Sequence, residues 1–337
     1  MITNSKQLSS STKDQYFAIY DRFETQTRIR SGIGPYEPVD PHEIAFLLVM
    51  QRPDLSKRTW ILYRSALLYS FAEEVKKMCH FDHGGYGQLR AIQYRAAIEW
   101  LSSQTQSEAK KRGTSTSSLK AKSIKIKDLQ AILAHLSRTS SRNPDEKTLA
   151  ELISATVFSG LRPCEWVNAE LRPLESGEQV LIVKNAKATN GRGNGQYRTL
   201  FVNHFGPGML GLFNGVIQTA KESSLKTGDD HALYRKFRHL FYRTVRKVLT
   251  KRQRYPSLYT FRHQFAANVK KIHTQEEVAA LLGHASDATA SRHYGKGRQG
   301  WKTQGAFSVK PSANEVARVR RSTSARRKLG RSGPSMK

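Results

Sequence analysis

Residues 102–122, SSQTQSEAKKRGTSTSSLKAK, hold almost nothing that a core could bury. Ser, Thr and basic residues dominate the stretch, so it reads as a linker rather than as the interior of a packed element. Such a segment makes the 337-residue chain fold on either side of it, and each side is long enough for a core of its own. The expected division is a helical unit over 1–102, a basic linker over 103–122, a second unit over 123–305 and a basic tail over 306–337.

The first unit carries helical periodicity. Tyr16, Ile19, Tyr20 and Phe23 fall at i, i+3, i+4 and i+7, the apolar stripe of an amphipathic helix. Asp40-Pro41 opens a second helix by Asp capping with Pro in the first turn; it carries Ile44, Phe46, Leu47 and Leu48 and stops near Pro53. Ser56 caps a third, with Trp60, Leu62, Tyr63, Leu67, Leu68 and Phe71, and a fourth carries Leu89, Ile92, Tyr94 and Ile98. Four helices of this length make a small bundle. In the second unit, helices are expected at 126–138, 145–158, 232–250, 260–272 and 275–283, and strands at 179–183 and 197–202 joined by an Asn/Gly-rich turn. The fold class that follows is mainly α with a small antiparallel β-hairpin or sheet.

Charge narrows the partner. Lys plus Arg is 56 against 27 Asp plus Glu, a net +29. That excess repels itself in a compact chain and favours a polyanion, nucleic acid before an anionic membrane. No apolar run approaches the ~18 residues that spanning a membrane requires, and the N-terminus lacks the apolar core of a secretory signal, so a cytoplasmic, DNA-associated protein is expected. The cysteines, Cys79 and Cys164, give no disulfide framework. Cys79, His80, Asp82 and His83 fit no complete zinc pattern and read as a surface turn, so no metal and no cofactor are expected. Two basic groups are candidate phosphate contacts: Lys110, Lys111, Arg112, Lys120 and Lys122 in the linker, and Arg243, Arg246 and Lys247 on a helix whose other face is apolar.

Three segments carry chemistry. In Phe158-Ser-Gly-Leu-Arg-Pro-Cys-Glu-Trp166 a helix ends at Ser159-Gly160, Arg162 follows, and Glu165 lies one turn further on. An Arg there either forks onto a phosphate with Glu165 orienting it, or makes a structural pair. In the second segment, Tyr259 and Arg262 share a helix face with His263 beside them. In the third, Thr274 and Glu277 form a capping box, the helix ends at Gly283, His284 projects from the turn, and Tyr294 follows ten residues later.

Taken in order, these segments resemble the tyrosine recombinase (phage integrase) family over roughly residues 123–295. The boxes are Ser159-Gly160-Leu161-Arg162 with Glu165, then Tyr259-x-x-Arg262-His263, then Leu282-Gly283-His284, then Tyr294. Tyr259 stands where the family commonly has His, and Tyr294 lies ten residues after His284 where nine is usual. The resemblance implies a two-domain clamp on double-stranded DNA, with a helical N-terminal bundle and a catalytic domain, and a homotetramer on DNA. It implies strand cleavage and rejoining through a 3′-phosphotyrosyl link, without metal, ATP or a small-molecule substrate. It makes Tyr294 the nucleophile, Arg162, Arg262 and His284 the phosphate ligands, and Glu165 and His263 their supports. Tyr259 becomes a phosphate hydrogen-bonder, and Lys187, preferred over Lys184, the general acid on the hairpin. Two alternatives remain: a type IB topoisomerase-like relaxing enzyme, and a DNA-binding protein with a decayed site.

Overall fold

The computed structural model describes residues 8–80, 84–109, 120–188, 193–289, 294–302 and 308–322. The chain separates into two compact units, Met1–Ser115 and Thr116–Lys337. Lys110, Lys111 and Arg112 lie outside the described residues.

The first unit holds α1 (Ser10–Ser31), α2 (Pro41–Met50), a 3-10 turn at Arg52–Asp54, α3 (Lys57–His80) and α4 (Gly84–Ser103). Local chemistry sets the helix starts. The Asp40 carboxylate accepts from the His42 amide at 2.9 Å and the Ser56 hydroxyl from the Thr59 amide at 3.1 Å, each satisfying a donor that the helix cannot. Phe23, Ile44, Leu48, Trp60, Leu67, Phe71 and Leu101 are buried together. One expectation is corrected. Leu89 and Ile92 are 55% and 60% exposed, whereas Ala91, Tyr94, Ala97 and Leu101 face inward. The small alanines let α4 approach α3, and the Tyr94 hydroxyl meets that of Tyr20 at 3.1 Å, so the inward stripe is offset from the one that the bulkiest residues mark.

The second unit runs α5 (Ile126–Thr139), α6 (Pro144–Ser159), a 3-10 helix (Pro163–Asn168), β1 (Ala169–Pro173), β2 (Gln179–Lys184), β3 (Tyr197–Phe201), α7 (Pro207–Thr227), α8 (Ala232–Val248), α9 (Leu258–Val269), α10 (Gln275–Leu281), a 3-10 turn at Gly297–Gln299, β4 (Lys310–Pro311) and α11 (Ala313–Ala317). The strands pair antiparallel in the order β1-β2-β3-β4. This is the mainly helical chain with a small antiparallel sheet that the sequence predicts, with additions. Strand β1 and the long helix α7 carry no clear sequence signal. Helix α7 forms because Phe213, Val216, Ile217 and Ala220 are buried, against the 3-10 helix, α6, α8 and β1.

Part of the basic tail belongs to the second unit, with α11 starting directly after Ser312. Over residues 308–322 the chain is built into the second unit: β4 extends the sheet, and Val316 and Val319 pack on Ala279 and Ala280 of α10. Glu315 Oε1 accepts from the Thr199 amide at 2.7 Å, its carbonyl accepts from Asn194 Nδ2 at 2.7 Å, and Asp287 Oδ1 accepts from the Ser322 amide at 2.9 Å.

Candidate active site

Two left-handed glycines bring the catalytic segments together. Gly160 ends α6 with φ +69°, and a Cβ there would lie 2.2 Å from the Phe265 ring on α9. Gly283, after α10, has φ +65°, and a Cβ there would lie 2.2 Å from Asn185 Oδ1. Only a residue without a side chain allows both the turn and the approach. Arg162 therefore enters the 3-10 helix, and His284 leaves the α10 turn, at one place under α9.

Glu165 is the centre of that place. It is 1% exposed and accepts from Arg162 Nη1 at 2.5 Å, the Arg162 amide at 2.7 Å, Arg198 Nη2 at 2.8 Å and the Ala186 amide at 3.3 Å. Arg262 Nη1 lies 3.5 Å from the same carboxylate. Burial alone would raise the Glu165 pKa, but Arg198, Arg162 and Arg262 overcome it and hold the carboxyl well below the usual range. Arg262 is wholly buried. Its Nη1 donates to the Gly160 carbonyl at 2.5 Å and its Nη2 to the Leu282 carbonyl at 2.7 Å, which leaves Nε to face Tyr294 Oη at 3.2 Å.

Tyr294 thus reaches the guanidiniums within its own chain. Its hydroxyl also lies 3.4 Å from His284 Nε2, and its ring packs between His263 and His284, with centroids at 4.9 and 5.0 Å. Burial would raise the phenol, but Arg262 and Arg162 draw it below its ordinary value of 10.0. Burial, then Arg262 and Arg162, push His284 down to about 2, so it is neutral at any physiological pH. His263 is lowered to about 4 by burial and by Lys122, Arg262 and Lys270. Three guanidiniums against one carboxylate leave two uncompensated positive charges around a phenol oxygen.

Tyr259 stands in the first turn of α9, 36% exposed, edge-on to Tyr234 at 5.7 Å. The dry surroundings of its hydroxyl, with Cys164 nearby, push it up to about 12 despite Arg162 and Arg262. It can donate a hydrogen bond but cannot accept a proton near neutrality. Lys187 is exposed in the turn after β2, one residue past the Ala186 amide that binds Glu165; Lys184 is exposed at the end of β2. On α8, Arg243, Arg246 and Lys247 are exposed while Phe237, Phe241 and Val245 are buried, and Lys120 and Lys122 are exposed ahead of α5. Among the described residues no group of three or more His, Cys, Asp or Glu is placed to hold a metal, and Asp82 and His83 of the sequence cluster lie outside them. No helix among the described residues is long and apolar enough to cross a membrane.

Sequence reasoning missed Arg198 and Asn185. Arg198 is fully buried on β3; its Nη1 donates to Asn185 Oδ1 at 2.5 Å and to Glu165 Oε1 at 3.2 Å. The signal was strand parity: Arg198 alternates in phase with buried Leu200, and a charge at a core-facing strand position needs a buried counter-charge.

No protein-family model and no curated protein sequence matches the chain. Solved structures do. A lambda integrase tetramer bound to a Holliday junction is 16% identical, with 89% of this chain and 76% of that one covered and a TM-score of 0.48. A lambda integrase(75-356) dimer bound to a COC′ core site is 18% identical, with 89% and 93% covered and a TM-score of 0.47. XerH site-specific recombinase bound to palindromic difH substrate, in a post-cleavage complex, is 17% identical, with 83% and 74% covered and a TM-score of 0.45. These are likenesses of chain trace, and the chemistry of the site stands on the distances above.

Proposed function

We propose that the protein is a tyrosine-type site-specific recombinase that cleaves and rejoins DNA strands. The observation that carries this reading is the Tyr294 hydroxyl held at 3.2 Å from Arg262 Nε, in a pocket with two unbalanced positive charges. A phosphodiester bears one negative charge and gains a second as a nucleophile adds to phosphorus, so the pocket matches the transition state better than the ground state. By analogy with an oxyanion donor, each guanidinium that reaches the phosphate contributes about 3–4 kcal/mol.

In the reaction the phenol gives up its proton to solvent, helped by Arg262 and Arg162. Tyr294 Oη bonds to phosphorus, and the bond from phosphorus to the 5′-oxygen breaks, in the polarity that the family resemblance implies. Lys187 gives its proton to the departing 5′-oxygen. Neutral His284, with its proton on Nε2, and the Tyr259 hydroxyl donate to the non-bridging oxygens. The phosphotyrosyl ester keeps the energy of the broken bond, and attack by a DNA hydroxyl reverses the step without ATP. Each chain carries one nucleophile and cuts one strand. Exchange between two duplexes needs four cuts and hence four chains, a homotetramer on DNA. Glu165 and Arg198 keep Arg162 and Arg262 in place, and His263 supports the Tyr294 ring. Lys120, Lys122, Arg243, Arg246 and Lys247 hold phosphates along the duplex, which makes the protein DNA-associated; a cytoplasmic location is part of the same proposal.

The test is a duplex nicked beside the cut site, so that the freed end diffuses away and the covalent product accumulates. A denaturant-resistant protein–DNA adduct is expected from the wild type and none from Tyr294→Phe with DNA binding intact. No adduct from either, on DNA flanking the protein's own gene, overturns the reading. Relaxation of supercoiled plasmid lacking any particular site would move the assignment to a relaxing enzyme with the same chemistry.

A further inference from the structure

A cleft of the second unit takes no part in the transesterification. It lies beside the site and has a volume of about 490 Å³, within the usual range for small-ligand pockets, roughly 300–1,000 Å³. Tyr234 and Tyr242 of α8 and Tyr255 of the loop before α9 face it, with Lys120, Arg238 and Arg246 at its rim. The buried side chains of Phe241 and Leu258 back it. None of its described lining residues is acidic.

Three features indicate what fits. First, the Arg246 guanidinium carbon lies 4.9 Å from the ring centroids of both Tyr242 and Tyr255, so a flat group with π-faces already sits against two rings. Second, the three cations at the rim call for an anion joined to that flat group. Third, Tyr234 of the cleft is edge-on to Tyr259 at 5.7 Å, so the cleft lies one ring away from a residue assigned to the scissile phosphate. In a paired duplex both faces of each base are covered by neighbouring bases, and only the phosphates could use such a cleft. Ring faces beside cations are instead the stacking platform that unpaired strands use.

We propose that this cleft receives a single unstacked nucleotide of the bound DNA strand, its base against the tyrosine rings and its phosphate on Lys120, Arg238 or Arg246. The inference rests on the recombinase reading above, which supplies the DNA. Opening one base beside the cut costs stacking that the tyrosines return, and it fixes where along the strand the scissile phosphate stops.

The test uses the full chain and two labelled duplexes of one sequence, one fully paired and one with a single bulged 2-aminopurine. Fluorescence anisotropy should show about 5- to 100-fold tighter binding to the bulged duplex, with the 2-aminopurine emission quenched on binding. Tyr242→Ala, at a 52% exposed position whose truncation spares the core, and Tyr255→Ala should bind the paired duplex within twofold of wild type and lose the preference. Equal binding of both duplexes by the wild type overturns the inference and leaves the recombinase reading standing, as does a preference that survives in both variants. Equal quenching of free 2-aminopurine deoxynucleotide at the same concentration assigns the cleft to a free nucleotide instead and also overturns it. A protein that binds neither duplex refutes the recombinase reading itself.

Discussion

Replacing Glu165 by glutamine keeps the shape of the side chain and removes its charge. In the native site that charge faces Arg162 Nη1 at 2.5 Å, Arg198 Nη2 at 2.8 Å and Arg262 Nη1 at 3.5 Å, almost wholly out of water. Removing one partner of a buried ion pair costs about 3–5 kcal/mol, because the remaining charge stays buried without compensation. Here three cations are left, so the upper part of that range applies. In a unit of about 150–250 residues each kcal/mol moves Tm by about 2–4 °C. The variant should therefore melt roughly 8–20 °C below the wild type at pH 7, followed by circular dichroism and calorimetry. The pH dependence has a definite sign. A carboxyl held below its ordinary value contributes stability that is complete above that value and is lost as pH falls through the folded one. The gap between wild type and variant should thus be constant from about pH 5 to pH 8 and close only in strong acid. A variant melting within about 2 °C of wild type, or a gap already closed at pH 5, would show that the carboxylate charge does not hold the three guanidiniums.

Other outcomes follow from the same geometry. Lys187→Ala should slow cleavage about 10²–10⁴-fold on ordinary DNA yet leave it near normal where sulfur replaces the departing 5′-oxygen, since a thiolate leaves without a proton; Lys184→Ala should do neither, and equal slowing on both substrates removes Lys187 as the acid. Because the Tyr294 phenol lies below 10.0 and His284 near 2, cleavage rate should rise with pH, level off before pH 10 and show no inflection from His284 near neutrality; a rate still climbing past pH 10 contradicts the lowered phenol. Gly283→Ala should lower the urea midpoint by the equivalent of about 2–5 kcal/mol, left-handed strain plus a Cβ driven into Asn185, and an unchanged midpoint would deny the close approach. DNA affinity should fall by about 10³-fold or more between 50 and 200 mM salt if about six phosphates are neutralised, and a flat response would reject the phosphate contacts.

What the sequence made legible was what local chemistry decides. Caps at Asp40, Ser56 and Thr274, glycine stops at Gly160 and Gly283, and the hairpin alternation all point to the elements that form. Helix α7 was not legible, because glycines at 208, 211 and 215 dilute its propensity and only burial of Phe213, Val216 and Ile217 makes it pay. Strand β1, AELRP, has no alternation and exists because β2 pairs with it. In the site, the spaced boxes named the residues that meet at Tyr294, but not why three cations can share one small volume. That answer needs Arg198 to face inward from β3 and Glu165 to be reached by all three, relations that join positions 33 and 97 residues apart.

The way the chain closes on itself after β4 has a practical corollary for protein engineering. The basic end invites trimming to improve solution behaviour. A stop codon before Lys310 would strip the outer strand, uncover Ala279 and Ala280, and strand the Asn194 carboxamide and the Thr199 amide without acceptors. A stop codon after Ser322 keeps every one of those acceptors, and the Asp287 clasp with them.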